Sequence, residues 1–369
     1  MKAFAYPSYI GFGYTSCNTC HFNPLGNGSL TDYGRALSAT EIADRVFQED
    51  KSDEVLASQS GFLGPLGEPP SWLRFSGGYR GMLLTTQLED SPAQRWIHMQ
   101  AEGTAVVKLW RDRVLASSTF GYVPVPQAIP SVQKSSTSSL ISREHYLGFR
   151  PLPMVGVYAG FLDHAFGIRV PDHSAYIRSK TLTGMNDQTH GVLLYGNLGH
   201  WEGGIHFVLG NLFQDSSLRQ KGITTMVEYE ALENVRLGVS ALLTGSDFRT
   251  RKMLAIHSRV GIPKGHSLLA EVGIAREITP VPSDKLGDFV FLQAMIRLAR
   301  GWYCLMTAEQ FAEDFYSEGA RLYRVGPSVQ YLPTQRVELR MDLTMTRTLG
   351  LTTINPDALA LMTQLHLWL

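Results

Sequence analysis

From Trp72 to the last residue the chain alternates apolar and polar side chains in unusually long runs, and this period of two limits its fold more than any other feature. Between residues 96 and 109, Ile97, Met99, Ala101, Ala105, Val107 and Leu109 alternate with Trp96, His98, Gln100, Glu102, Thr104 and Lys108. The split recurs between 336 and 346, where Val337, Leu339, Met341, Leu343 and Met345 oppose Arg336, Glu338, Arg340, Asp342 and Thr344. These runs reach ten residues or more. Strands of soluble sheets average about five or six, whereas a strand crossing a bilayer at a tilt needs about 9 to 11. The expected fold is all-β: a transmembrane antiparallel barrel whose closure pairs every backbone group and leaves no edge.

Sixteen such segments can be placed, near 72–84, 95–109, 113–123, 143–149, 153–162, 190–200, 202–213, 222–231, 235–244, 252–262, 267–276, 287–299, 302–311, 319–331, 335–346 and 358–369. An even count suits an antiparallel bacterial barrel. Short breaks such as Lys264-Gly265-His266 alternate with longer ones such as 131–142, 171–189 and 279–287, as tight periplasmic turns alternate with long outer loops. A soluble all-β protein would have to bury a dozen greasy strand faces with no partner layer in the sequence. No run of 18 apolar residues is present to form a spanning helix. The 33 basic and 33 acidic side chains balance, so no cationic excess draws nucleic acid.

Outside the alternating region stands Cys17-Asn18-Thr19-Cys20-His21, which uses two of the three cysteines. Cys-x-x-Cys-His is the attachment signature of c-type haem: the thiols add to the two vinyl groups and the histidine takes the iron. Composition alone would produce the motif in roughly one such chain per thousand or more. The alternatives are a disulfide, a zinc half-site or a thioredoxin-like pair. Cys304 is too distant to complete a zinc set, and the flank Tyr9-Ile10-Gly11-Phe12-Gly13-Tyr14 is not a βαβ context. One covalent haem c held by Cys17, Cys20 and His21 is therefore expected.

Three regions follow. Residues 1–5 read as the remnant of a signal peptide, with Ala3-Phe4-Ala5 as a small-x-small site. Residues 6–68 form a short, mostly irregular and helical haem segment or plug, with one helix suggested by Ile42, Val46 and Phe47 after Thr40. The Gly- and Pro-rich stretch 61–70 ends it, and 69–369 make the barrel. Leu359, Leu361, Leu365, Leu367 and Leu369 carry the pattern to the terminus beside Trp368, in the manner of a barrel's closing strand.

With both halves in view, the chain resembles the porin–cytochrome fusions of Gram-negative bacteria. The likeness rests on residues 6–17, on Cys20-His21-Phe22-Asn23-Pro24-Leu25-Gly26-Asn27-Gly28, and on Leu30-Thr31-Asp32-Tyr33-Gly34-Arg35; a weaker one covers residues 160–178. The resemblance implies a redox role at the bacterial outer membrane, with the haem segment in the periplasm or the barrel lumen. A single haem is a short wire, so periplasmic or extracellular redox partners such as other cytochromes are expected, with outer-membrane lipid around the barrel.

The sixth iron position is left open. The haem segment holds no other histidine and only Met1 as a thioether, so a second protein ligand comes from the barrel or is absent. Alternation puts His98, His206, His257 and His366, with Met226, on inward faces. Gly26, Gly28 and Gly34 suit tight turns or close approach to a macrocycle. Arg35 reads as an exposed structural arginine or a propionate partner, and Cys304 as a small apolar filler. Electron transfer leads; a diffusion porin with a haem-stapled plug is the alternative, and a haem-based sensor or peroxidase ranks last because no distal acid–base pair is recognisable.

Overall fold

All sixteen alternating segments form strands in the computed structural model, which describes residues 7–26, 28–46, 48–88, 91–122, 140–170, 172, 174–184, 186–280, 283–315, 321–350 and 357–369. They are β1 (Leu73–Leu88), β2 (Ser91–Leu109), β3 (Val114–Tyr122), β4 (Leu140–Leu152), β5 (Val155–Leu162), β6 (Thr189–Leu198), β7 (Trp201–Gly210), β8 (Lys221–Leu232), β9 (Val235–Gly245), β10 (Thr250–Ile262), β11 (His266–Thr279), β12 (Ser283–Ala299), β13 (Trp302–Ala312), β14 (Arg321–Thr334), β15 (Val337–Leu349) and β16 (Ala358–Trp368). Each pairs antiparallel with its sequence neighbours, and β1 pairs with β16 to close the barrel. The signal-peptide remnant at 1–5, Phe47 and most of the 131–142 break lie outside the described residues.

Alternation sorts the two faces. In β10, Leu254, Ile256 and Ile262 are exposed on the outside, while Met253, Ala255, His257 and Arg259 are buried inside. Val107 and Leu339 face outward as their pattern implies, but each lies two residues from a strand end rather than at mid-depth. One face assignment is overturned. Arg80 pairs with Gln100 while the next residue, Gly81, pairs with His98, so a β-bulge takes up Met99 and reverses the parity below it. Met99 therefore lines an inner pocket with Met82, and His98 lies outside, hydrogen-bonded to the Tyr79 hydroxyl at 2.8 Å.

Short connections close one end of the barrel. At one of them Lys264 and Gly265 both take positive φ, 75° and 95°, the twist that tight antiparallel hairpins favour. The longest described connection, 163–188, folds inward and carries α4 (Tyr176–Ser179). The N-terminal segment enters from the short-turn end with α1 (Pro7–Ile10), α2 (Asp32–Leu37) running into a π turn to Ile42, and α3 (Asp53–Ser58). The helix suggested over 40–47 thus ends at Ile42. It begins earlier because Thr31 caps it, accepting from the Gly34 amide at 3.2 Å, a role Thr40 does not play.

Tyr9, Ile10, Cys20, Leu37 and Ile42 of this segment share one buried cluster with Phe166 and Ile177 of the inward loop and with Phe289, Phe291 and Tyr303 of the wall. The lumen is thus packed in part as a hydrophobic core. Polar links fix the segment at the short-turn end: Arg150 donates to Phe22 O (2.7 Å), Asn197 to Ser16 Oγ (3.0 Å), Arg300 to Ala43 O (2.8 Å) and Arg336 to Gly61 O (2.5 Å).

Candidate haem site

Cys17 opens a single 3-10 turn, Cys17–Thr19, and the His21 amide donates back to Cys17 O at 3.1 Å. That turn brings the two thiols and the imidazole together without long-range help. A small hairpin follows. Asn23 accepts from the Leu25 amide through its side chain and from Gly26 through its carbonyl, Gly26 and Gly28 take φ of 84° and 67°, and Phe22 donates to Ser29 O. Its return strand puts the Gly28 carbonyl 3.3 Å from His21 Nδ1. With the proton on Nδ1, that contact fixes the ring and directs Nε2 toward a metal, the usual second contact of a metal-binding histidine.

Gly34 has a different duty. A Cβ there would stand 2.6 Å from Cys20 O and 2.8 Å from Cys20 Cβ, so only glycine lets α2 lie against the motif. Cys20 is fully buried and Cys17 nearly so, and neither is bonded to another cysteine. Burial and the neighbouring Cys17 push the Cys20 thiol up to about 12, the opposite of the lowered pKa that a thioredoxin-like pair needs. Arg259 Nη1 approaches Cys17 Sγ at 3.7 Å and is ion-paired to the buried Glu228. Cys304 is half-buried in β13 and distant from the motif in sequence and wall position.

His21 faces a cavity between the segment, the inward loop and the wall formed by β1, β2 and β14 to β16. Counted with its opening to solvent, it spans about 1550 Å³ of unfilled space. Gly26, Gly28 and Gly78 are among its lining residues, and a Cβ on Gly78 would meet no atom closer than 3.9 Å. Arg35, Arg80, Arg169 and Arg178 line it together with Glu102 and Glu338, Arg169 and Arg178 being ion-paired to Asp163 and Glu271. The reading of Arg35 as exposed is corrected: it is buried, donates to Phe75 O at 2.5 Å, and burial together with Arg336 lowers its pKa to about 10. A buried guanidinium in this state favours an anion beside it.

The structure separates the four barrel histidines. His366 lines the same cavity as His21. His206 faces inward as expected but is fully buried beside His164 at the start of the inward loop, its Nε2 2.5 Å from where a Cβ on Gly191 would be. His257 also faces inward, with Nε2 3.0 Å from Glu228 Oε1, and does not line the cavity. His98 is outside the barrel because of the bulge. Met226 packs against Phe22 and Leu25 in a second buried cluster rather than in the cavity. Sequence reasoning did not single out Glu338, which stands opposite His366 in the β15–β16 register; only the pairing of the two strands reveals it.

No protein-family model matches the sequence, and neither does any curated protein. Its likeness is to solved barrels. An anion-selective porin from Comamonas acidovorans superposes with a TM-score of 0.62 at 8% identity, over 80% of this chain and 99% of that one. The outer membrane channel DcaP of Acinetobacter baumannii gives 0.57 at 12%, over 80% and 96%, and OprB of Pseudomonas putida gives 0.59 at 10%, over 80% and 94%. The fold is porin-like.

Proposed function

We propose that this chain is an outer-membrane electron-transfer protein in which a porin-like barrel holds one covalent haem c. The observation that carries the reading is that Cys17-x-x-Cys20-His21 stands inside a barrel, with its histidine lining a cavity that four arginines also line. The donor set suits the group: two thiols on one turn, buried and outside the cavity lining, an imidazole that lines the cavity and is oriented through Gly28 O, and buried Arg35 beside the cavity for a propionate. When bound, the haem supplies a one-electron iron couple. The residues around it anchor the ring, screen it from bulk water through the buried cluster, and neutralise its carboxylates.

Sixteen closed strands with outward Leu, Ile and Val suit the bacterial outer membrane, where no bare sheet edge meets lipid. The segment's entry from the short-turn end supports a periplasm-facing haem, reached by other cytochromes on at least one side. The porin-like fold also supports a second reading, a diffusion channel narrowed by a haem-stapled plug. The partly packed lumen favours the first.

Expression with a cytochrome c maturation system decides the central claim. The denatured protein should keep its haem mass and pyridine haemochrome spectrum, and Cys17→Ala/Cys20→Ala should lose both. Retention of covalent haem by that variant would remove the basis of the reading, and a large single-channel conductance in the loaded protein would favour the diffusion channel.

A further inference from the structure

Among the described residues that line the cavity, His21 and His366 are the two imidazoles, and no thiol or thioether lines it with them. His366 projects from β16 with its ring against Trp368, centroids 4.6 Å apart. Its Nδ1 lies 3.1 Å from Glu338 Oε2 on the neighbouring β15, and Arg80 Nη2 lies 3.0 Å from the same nitrogen. One nitrogen cannot both donate to Glu338 and accept from Arg80. A carboxylate can only accept and a guanidinium can only donate, so the two contacts call for opposite tautomers; the form able to bind a metal through Nε2 is the one with the proton on Nδ1 facing buried Glu338, whose other oxygen accepts from Gln330 at 2.8 Å. In that form Nε2 carries the lone pair, and it stands 4.0 Å from where a Cβ on Gly78 would be, a position that glycine leaves without a side chain.

Two histidines thus share one cavity, each with an acceptor within reach of Nδ1: a backbone carbonyl for His21, and for His366 a carboxylate that shares this nitrogen with Arg80. This is how proteins prepare a histidine for a metal through Nε2. We propose that His366 is the distal ligand of the haem iron, opposite His21, and that Glu338 is the residue that positions its ring. The inference rests on the haem reading above. It gives that reading its chemistry: an iron with both axial positions filled by protein exchanges electrons with little rearrangement and binds small ligands poorly.

The test uses the full chain, matured with haem and purified in detergent. Ferric wild type should give a low-spin bis-histidine EPR signal with its near-infrared band, and the reduced protein should bind carbon monoxide weakly. His366→Ala should turn high-spin and bind carbon monoxide at least tenfold faster, and added imidazole should restore the low-spin signal. Glu338→Ala should shift the reduction potential and broaden the EPR signal, with Glu338→Gln returning both toward wild type. His206→Ala and His257→Ala should leave the signal unchanged. A high-spin wild type overturns the assignment even if a variant fails to fold. So does a low-spin signal that survives in His366→Ala or disappears in His257→Ala. Absence of covalent haem from the denatured wild type is a separate result and overturns the haem reading itself.

Discussion

Arginine placed at Ile256 tests the barrel and its faces together. The thirteen residues of β10, at a rise of about 3.3 Å and a tilt near 40°, span roughly 33 Å along the membrane normal. Ile256 is the seventh of them, so it lies roughly 15 Å from either end, at the bilayer midplane. It faces outward between Val239 and Val272 of the adjacent strands. Ile262, the last residue of the strand, is outward too but sits beyond the half-height of an apolar band about 25 Å tall. Arginine costs about 2 to 4 kcal/mol at the midplane and about 0 to 1 near the interface. The two variants should therefore differ by about 2 to 3 kcal/mol, or about 30- to 150-fold in the folding equilibrium. Urea unfolding and refolding in lipid vesicles, followed by tryptophan fluorescence and by the mobility of unboiled protein, measures the difference. Equal cost at the two positions, or free tolerance at Ile256, would refute the assignment of this face to lipid.

Two further outcomes probe the contents of the lumen. Gly34→Ala drives a methyl into Cys20, an overpacking cost of about 1 to 3 kcal/mol, and should lower covalent haem yield and speed proteolysis of the N-terminal segment; an unchanged yield would contradict the close packing of α2 on the motif. Burial raises the Asp187 carboxyl of the inward loop to about 6, so the docked loop holds a proton that a released loop, near 3.9, gives up. Docking should be strongest below about pH 4 and weaken as pH rises through about 6, with single-channel conductance rising from pH 4 to pH 7 and Asp187→Asn flattening the dependence; the opposite slope would contradict this.

Much of this protein is written locally. A run such as 250–262, apolar on one parity and polar on the other and long enough to cross a bilayer, has few folds open to it, and sixteen such runs close into a barrel because lipid supplies no hydrogen bonds. The haem signature is local as well, since one turn of chain brings Cys17, Cys20 and His21 together. What the sequence left open was the partner across the cavity. Parity holds only until an extra residue intervenes, and the bulge that takes up Met99 sends His98 to the outside. Parity also says nothing of depth or of what stands in front of a side chain. His206 is covered at the start of the inward loop, His257 is held by Glu228, and Arg35 is buried rather than solvated. His366 meets Glu338 because β15 and β16 pair in one register, and it shares a cavity with His21 because β1 closes on β16 and the N-terminal segment enters that mouth. Register and closure are sums of pairings around the whole barrel, so only the tertiary structure decides them.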